Sequence, residues 1–333
     1  MLEQEAKRWL RIQSDLGRAP NTVSAYRRSL QDYCSFCLTL QRPVYEATRE
    51  DIALFLRSMT AFRLPASRKT KSERSGLANA TIRLRLTAVR LFYDHLIEEG
   101  LRTGNPVGRG RYTQGSGFGG SRPRALVPRF TSLPWIPTDA EWRRLLETAR
   151  PELLRNRVML ALAYDAGLRR EELCSLTTGD LDPANRLLTL RAETTKSRRA
   201  RVVPYSEASG NLLSAYLAHR RMLTRQRGTL FVSESRRNPA APLSFWTWSK
   251  VVHALAERAD LPQLSTHTFR HLCLTDLARA GWELHEIATF AGHRNTSTTL
   301  IYIHLSGREL TEKLAKASFQ HSARLAEIAE VLQ

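Results

Sequence analysis

Residues 266–271 read Thr-His-Thr-Phe-Arg-His, and the His267-x-x-Arg270 spacing inside them decides how the rest of the chain is read. Residues three apart share one face of a helix, and Ser265 or Thr266 is expected to cap that helix just before His267. A helix start also offers unpaired N–H groups and the positive end of the dipole, so a phosphate is well placed there. Alone, this motif describes two solvated side chains as readily as a site. Its weight comes from three companions: Gly167-Leu168-Arg169, Ala291-Gly292-His293, and Tyr302, nine residues after His293. Two arginines can grip the non-bridging oxygens of one phosphate, two histidines can move protons or hydrogen-bond it, and a phenol can attack phosphorus. That set suffices to cut a phosphodiester without a metal or a nucleotide cofactor. Glu172, one turn after Arg169, can orient it through a charge-assisted bond.

Composition agrees with a polyanionic partner. Lys and Arg number 51 against 32 acids, a formal charge of +19 over 333 residues, which gives a broad positive potential. The length suggests two domains. No apolar run is long enough to span a bilayer and the first residues lack a signal-peptide core, so a cytoplasmic protein without membrane attachment is expected. Cys34 and Cys37 form a C-x-x-C with no second ligand pair, which excludes the usual zinc arrangement. Both fall on the apolar stripe of one helix, where a thiol packs as a small hydrophobe.

The periodicity predicts helices over 2–15, 21–40, 48–60 and 79–99, with Asn79 as N-cap and Gly100 as stop. On the last of these Arg83, Arg85 and Arg90 lie off the apolar stripe. The loop AFRLPASRKTKSERSG (61–76) carries five bases, Arg63, Arg68, Lys69, Lys71 and Arg74, and one acid. Residues 102–135 hold seven glycines and six arginines, Arg122, Arg124 and Arg129 among them, and no acid. That stretch is expected to be a flexible basic linker between a helical domain at 1–101 and a second domain at 136–333. All these basic residues are candidate nucleic-acid contacts through phosphate. The second domain is expected to have helices over 138–149, 152–166, 206–224, 243–258, 267–280, 283–290 and 307–332, with a short one from 170. Short strands are expected at 187–191 and 201–205, and a further one at 229–232. The fold class is therefore mostly α with a small β-sheet.

GLRREEL (167–173), THTFRH (266–271), AGH (291–293) and IYIH (301–304) resemble, in order and spacing, the catalytic boxes of the tyrosine recombinase, or phage integrase, family. NTVSAYRRSLQDY (21–33) and NATIRLRLTAVRLFYDHLIEEGLRTGNPV (79–107) resemble the helical core-binding domain of the same family. The resemblance implies that Tyr302 is the nucleophile forming a 3′-phosphotyrosyl bond and that Arg169 and Arg270 stabilise the transition state. It implies that His267 takes the phenolic proton, His293 hydrogen-bonds the phosphate, and Lys196 protonates the leaving 5′ oxygen. Lysine suits that last task because the neighbouring arginines cannot release a proton. Two departures from the family pattern stand out: Thr195 and Ser197 replace glycines beside the lysine, and Ala291 replaces a leucine. The implied partner is double-stranded DNA, with a homotetramer acting on two sites; accessory factors are not specified by the sequence. The implied biological role is integration or excision of a mobile element, with a Xer-like resolution of dimers as the alternative. A type IB topoisomerase-like enzyme and a non-cutting DNA-binding regulator are the remaining rivals. Leu325, Ile328 and Leu332 form an apolar stripe on the expected final helix, suited to a neighbouring subunit or to its own domain.

Overall fold

The computed structural model describes residues 2–60, 76–108, 126–127 and 133–306. The expected contacts Arg63, Arg68, Lys69, Lys71, Arg74, Arg122, Arg124 and Arg129, and the expected final helix with Leu325, Ile328 and Leu332, lie outside these residues. The chain forms two compact units, Met1–Thr131 and Ser132–Gln333. Among the described residues no helix is long and apolar enough to cross a membrane.

The first unit is a bundle of α1 (Leu2–Asp15), α2 (Pro20–Thr39), α3 (Arg49–Thr60) and α4 (Asn79–Glu98). Pro20 opens α2 at a position where a missing N–H costs nothing. On α4 the stripe Ile82, Leu86, Val89, Phe92, Tyr93 and Leu96 is buried as its spacing requires. Asn79 is not the cap: it is the first helical residue, and Ala78 precedes it without a side-chain cap bond. Gly100 does end the helix, at φ +69°, where a side chain would be strained. Cys37 is buried and Cys34 partly buried in the same core.

Several polar groups inside the bundle pair with one another or with backbone carbonyls. Tyr93 gives its hydroxyl proton to the Val44 carbonyl at 2.9 Å, so Tyr33 must be the donor in their 2.7 Å contact. Arg102, at the start of the expected linker, packs back on the bundle. Its guanidinium lies 4.9 Å from the Tyr93 ring centre and donates to the carbonyls of Val44, Tyr45 and Ala47. Asn105 binds Arg90 O and Asp94, while Val107 and Val127 join the core.

The second unit contains α5 (Asp139–Ala149), α6 (Leu154–Asp165), α7 (Arg170–Cys174), α8 (Glu207–Leu223), α9 (Phe245–Arg258), α10 (Thr268–Arg279), α11 (Leu284–Ala291) and α12 (Leu300–Ser306). Capping follows local chemistry: Thr138 and Glu141 make a reciprocal box for α5, and Ser206 and Ser244 cap α8 and α9. α10 is buried on nearly every side, including Thr268, Phe269, Arg270, Leu272, Cys273, Leu274 and Thr275, which marks it as the central helix. It packs against α6, α11 and α12. The antiparallel sheet runs β1 (Leu181–Asp182), β2 (Leu187–Leu190), β3 (Arg201–Pro204), with Leu188 opposite Val203 and Leu190 opposite Arg201. The strand expected at 229–232 is not one. Thr229 and Val232 make only isolated bridges, to Thr177 and Pro242.

Candidate active site

α6 ends at Asp165, and Gly167 follows at φ +57°. A Cβ there would meet the Phe290 ring at 3.0 Å and Cys273 Sγ at 3.4 Å, so backbone angle and close packing both require glycine. The turn sends the Gly167 carbonyl toward α10 and places Arg169 just before α7. α11 ends in the same manner. Gly292 is left-handed at φ +63°, and His293 N–H returns to the Ala288 carbonyl at 2.9 Å. A Cβ on Gly292 would lie 2.8 Å from Arg201 Nη1.

Between these two turns sits a set of guanidiniums. Arg270 is 3% exposed and donates from Nη1 to Gly167 O at 2.6 Å and from Nη2 to Ala291 O at 2.5 Å. Arg169 Nη1 reaches the same Ala291 carbonyl at 3.3 Å, so one backbone oxygen draws both arginines together. Burial, with Arg169 close by, lowers the Arg270 pKa to about 10, still charged at neutral pH.

Glu172 is 1% exposed and holds the group together. It accepts from the Arg169 backbone N–H at 2.9 Å and from Arg169 Nη1 at 2.8 Å, and Arg201 binds it two-pronged at 3.0 and 2.8 Å. Burial works to raise its pKa, but the bonds from Arg201 and Arg169 win and hold it at about 2. Arg201 also donates from Nε to Phe290 O at 3.0 Å. Two guanidiniums therefore share one buried carboxylate, and with Arg270 beside them the pocket keeps excess positive charge.

Arg270 also faces His293 Nε2 at 3.0 Å, while His293 Nδ1 lies 2.8 Å from Thr299 Oγ1. Arginine can only donate, so Nε2 is the acceptor and Nδ1–H is the donor to Thr299. Burial, reinforced by Arg270, pushes this imidazole down to about 3 and keeps it neutral. Tyr302, on α12, is 3% exposed. Burial raises its pKa, partly offset by Arg270 and Arg169. Its ring stacks on that of His293 with centroids 6.1 Å apart, and its hydroxyl lies 3.0 Å from His271 Nδ1.

The structure thus gathers Arg169, Glu172, Arg270, His293 and Tyr302. His267 stands at their edge, exposed, as the residue before α10, with its ring 6.2 Å from that of His271. The expected cap by Ser265 or Thr266 is absent. Instead Ser265 exchanges bonds with Thr268, its N–H donating to Thr268 Oγ1 at 3.0 Å, which ties up the hydroxyl. Lys196 is exposed on the connection between β2 and β3 and is not among the partners in these contacts. There Thr195 is buried and its hydroxyl bridges the carbonyls of Ala192 and Arg199, which gives this departure from glycine a structural task. In the first unit Arg83 and Arg90 line a cavity of about 150 Å³, whereas Arg85 is paired with Asp32 at 2.7 Å.

Two residues were missed by sequence reasoning. Arg201 precedes the fully buried Val203 by two on β3 and faces the buried Leu190, so strand alternation already turns it inward, where a cation needs an acid. His271 lies four residues after His267 and therefore close to the same helical face.

A helical unit built around a fixed arginine pair beside a buried tyrosine is the equipment of an enzyme that breaks and rejoins DNA strands. Residues 137–309 match the phage integrase family and residues 7–100 match the phage integrase N-terminal SAM-like domain, and the chain belongs to that family of tyrosine recombinases. It is 28% identical over 314 residues to tyrosine recombinase XerC of Herpetosiphon aurantiacus, covering 92% of each chain. With XerC of Erythrobacter litoralis it shares 30% over 308 residues, covering 90% of this chain and 86% of the relative. The fold is shared with the Tn1549 transposon integrase in complex with transposon right end DNA (TM-score 0.65, 18% identity, 94% and 98% covered). It is also shared with a lambda integrase dimer bound to a COC' core site (TM-score 0.64, 16% identity, 90% and 94% covered).

Proposed function

We propose that the protein is a site-specific recombinase that clamps duplex DNA and exchanges strands through a 3′-phosphotyrosyl intermediate on Tyr302, with several protomers, a tetramer on two sites, acting together. The observation that carries this reading is the meeting of Arg169 and Arg270 at the Ala291 carbonyl, in a pocket that also holds Tyr302 and His293. A phosphodiester gains negative charge as a fifth oxygen joins phosphorus. A pocket with three guanidiniums and one carboxylate meets that charge with donors already in place. A seated phosphate also offsets the arginines around His293. That favours protonation at Nε2 and turns this histidine from an acceptor for Arg270 into a donor to a phosphoryl oxygen. Lys196 protonates the leaving 5′ oxygen, and the covalent bond stores the energy needed for rejoining. The DNA is held through Arg83, Arg85 and Arg90 and through the basic segments at 61–76 and 102–135.

The acid-free arginine segment supports a mobile-element integrase. The near full-length similarity to XerC proteins favours the second reading, resolution of dimers. On a nicked suicide substrate the wild-type chain should form an adduct that survives denaturation, and Tyr302→Phe should bind DNA yet form none. Adduct from the variant would move the nucleophile elsewhere. Recombinant junctions, rather than topoisomers alone, separate a recombinase from a topoisomerase-like enzyme.

A further inference from the structure

His271 touches the Tyr302 hydroxyl. Its Nδ1 lies 3.0 Å from Oη, with the two rings tilted by 34° and 5.8 Å apart. The other histidines are placed differently. His293 faces the flat side of the Tyr302 ring and has both nitrogens engaged, by Arg270 and Thr299. His267 stands one ring further out, edge-on to His271. We propose that His271 is a catalytic residue, the base that takes the phenolic proton of Tyr302 as it attacks phosphorus, with His267 behind it. This rests on Tyr302 being the nucleophile.

The step balances on residues of this chain. The Oη–P bond forms as the P–O5′ bond breaks, the phenolic proton passes from Oη to His271 Nδ1, and the leaving oxygen collects a proton from the general acid. In the reverse step the incoming 5′-hydroxyl returns its proton to that acid and His271 gives its own back to the phenolate. Atoms, charge and protons return to their starting places without a co-reactant.

The surroundings suit the task. Burial, with His267 and Arg270 adding to it, pushes the His271 pKa down to about 4, so the ring is neutral at working pH and can accept. Tyr302 is kept protonated by burial, so in the 3.0 Å contact the phenol donates. Arrival of an anionic phosphate beside Arg270 counters the cationic neighbours and makes the ring more basic when a proton has to be taken.

The test uses single-turnover cleavage by the full chain on a suicide substrate. His271→Asn keeps an oxygen able to accept the phenol's hydrogen bond but cannot hold its proton, and should slow cleavage about 100-fold with DNA binding unchanged. A fluorinated tyrosine placed at 302, ionised near neutral pH, needs no base and should restore at least about tenfold of that loss in His271→Asn. It should restore nothing comparable in His267→Asn. Recovery in His267→Asn instead, in both equally, or in neither overturns the assignment. If His271→Asn does not fold, ¹⁵N spectra of the wild-type chain decide: the His271 Nδ1 should be unprotonated and should shift in Tyr302→Phe, and a protonated Nδ1 overturns the proposal. Adduct formation by Tyr302→Phe would instead sink the nucleophile reading beneath it.

Discussion

Arg201 clamps Glu172 from β3, with Nη1 3.0 Å from Oε1 and Nη2 2.8 Å from Oε2, and through it steadies Arg169 on the other side of the same carboxylate. Removing one partner of a buried pair costs up to about 3–5 kcal/mol when the other is left alone, and less here because Arg169 still binds Glu172. Arg201→Ala should therefore unfold at markedly lower denaturant than wild type. Glu172→Gln should lose stability as well, because two guanidiniums then lack their anion. Chemical denaturation of both variants at pH 7 checks this.

The same carboxylate sets an acid limit. Its pKa falls from 4.5 to about 2 on folding, so it stabilises the fold fully above about pH 4.5, and that contribution disappears as pH falls toward 2. The shift corresponds to about 3 kcal/mol. The stability gap between wild type and Glu172→Gln should narrow steadily from pH 5 to pH 2. A gap that stays constant over this range would show that the charge is not what Glu172 contributes.

Gly292→Ala places a methyl group against the Arg201 guanidinium at a left-handed φ of +63°. Strain alone costs about 1–2 kcal/mol, and Arg201 must shift as well. Thermal unfolding should show that loss. Cleavage should fall further than at Gly281, where a Cβ would meet nothing within 4 Å although φ is also positive, +90°.

Much of this was legible beforehand. The helices of the bundle follow from apolar spacing, and the stop at Gly100 from a residue type that tolerates positive φ. The site motifs converge because α10 threads the middle of its unit. What stayed hidden has physical causes. β1 is two residues long and carries no period. Asn79 reads as a cap, yet Ala78 takes that backbone position. Arg201 sits among Arg198 and Arg199, where a strand cation reads as one more phosphate contact until its inward register is known. His271 lacks a spacing of its own, since the pattern that draws attention ends at Arg270.

Lys196 is tested by changing the leaving atom. An alkoxide leaves poorly without a proton, whereas a thiolate leaves well. Lys196→Ala should cleave ordinary DNA slowly and recover with sulfur at the 5′ bridging position, while Arg270→Ala, which removes charge from the non-bridging oxygens, should gain much less. Equal rescue of both, or of neither, would pass the acid role to a histidine.

Binding should weaken steeply with salt, with a log–log slope of about −0.9 per phosphate contacted. Replacing Arg83 and Arg90 by Ala should flatten that slope, as should a separate triple replacement of Arg122, Arg124 and Arg129. Equilibrium titrations at several ionic strengths give the answer, and an unchanged slope removes that group from the interface.

Arg270 is pinned by the carbonyls of Gly167 and Ala291, groups belonging to the protein's own backbone. A pocket held open by its own main chain has one shape for the strand that arrives and the same shape for the strand that departs. On the proposed reading such a site favours neither product. The arrow of the reaction, joined or parted, must then be imposed from outside the chemistry, by the DNA ends on offer and by whatever holds them in place.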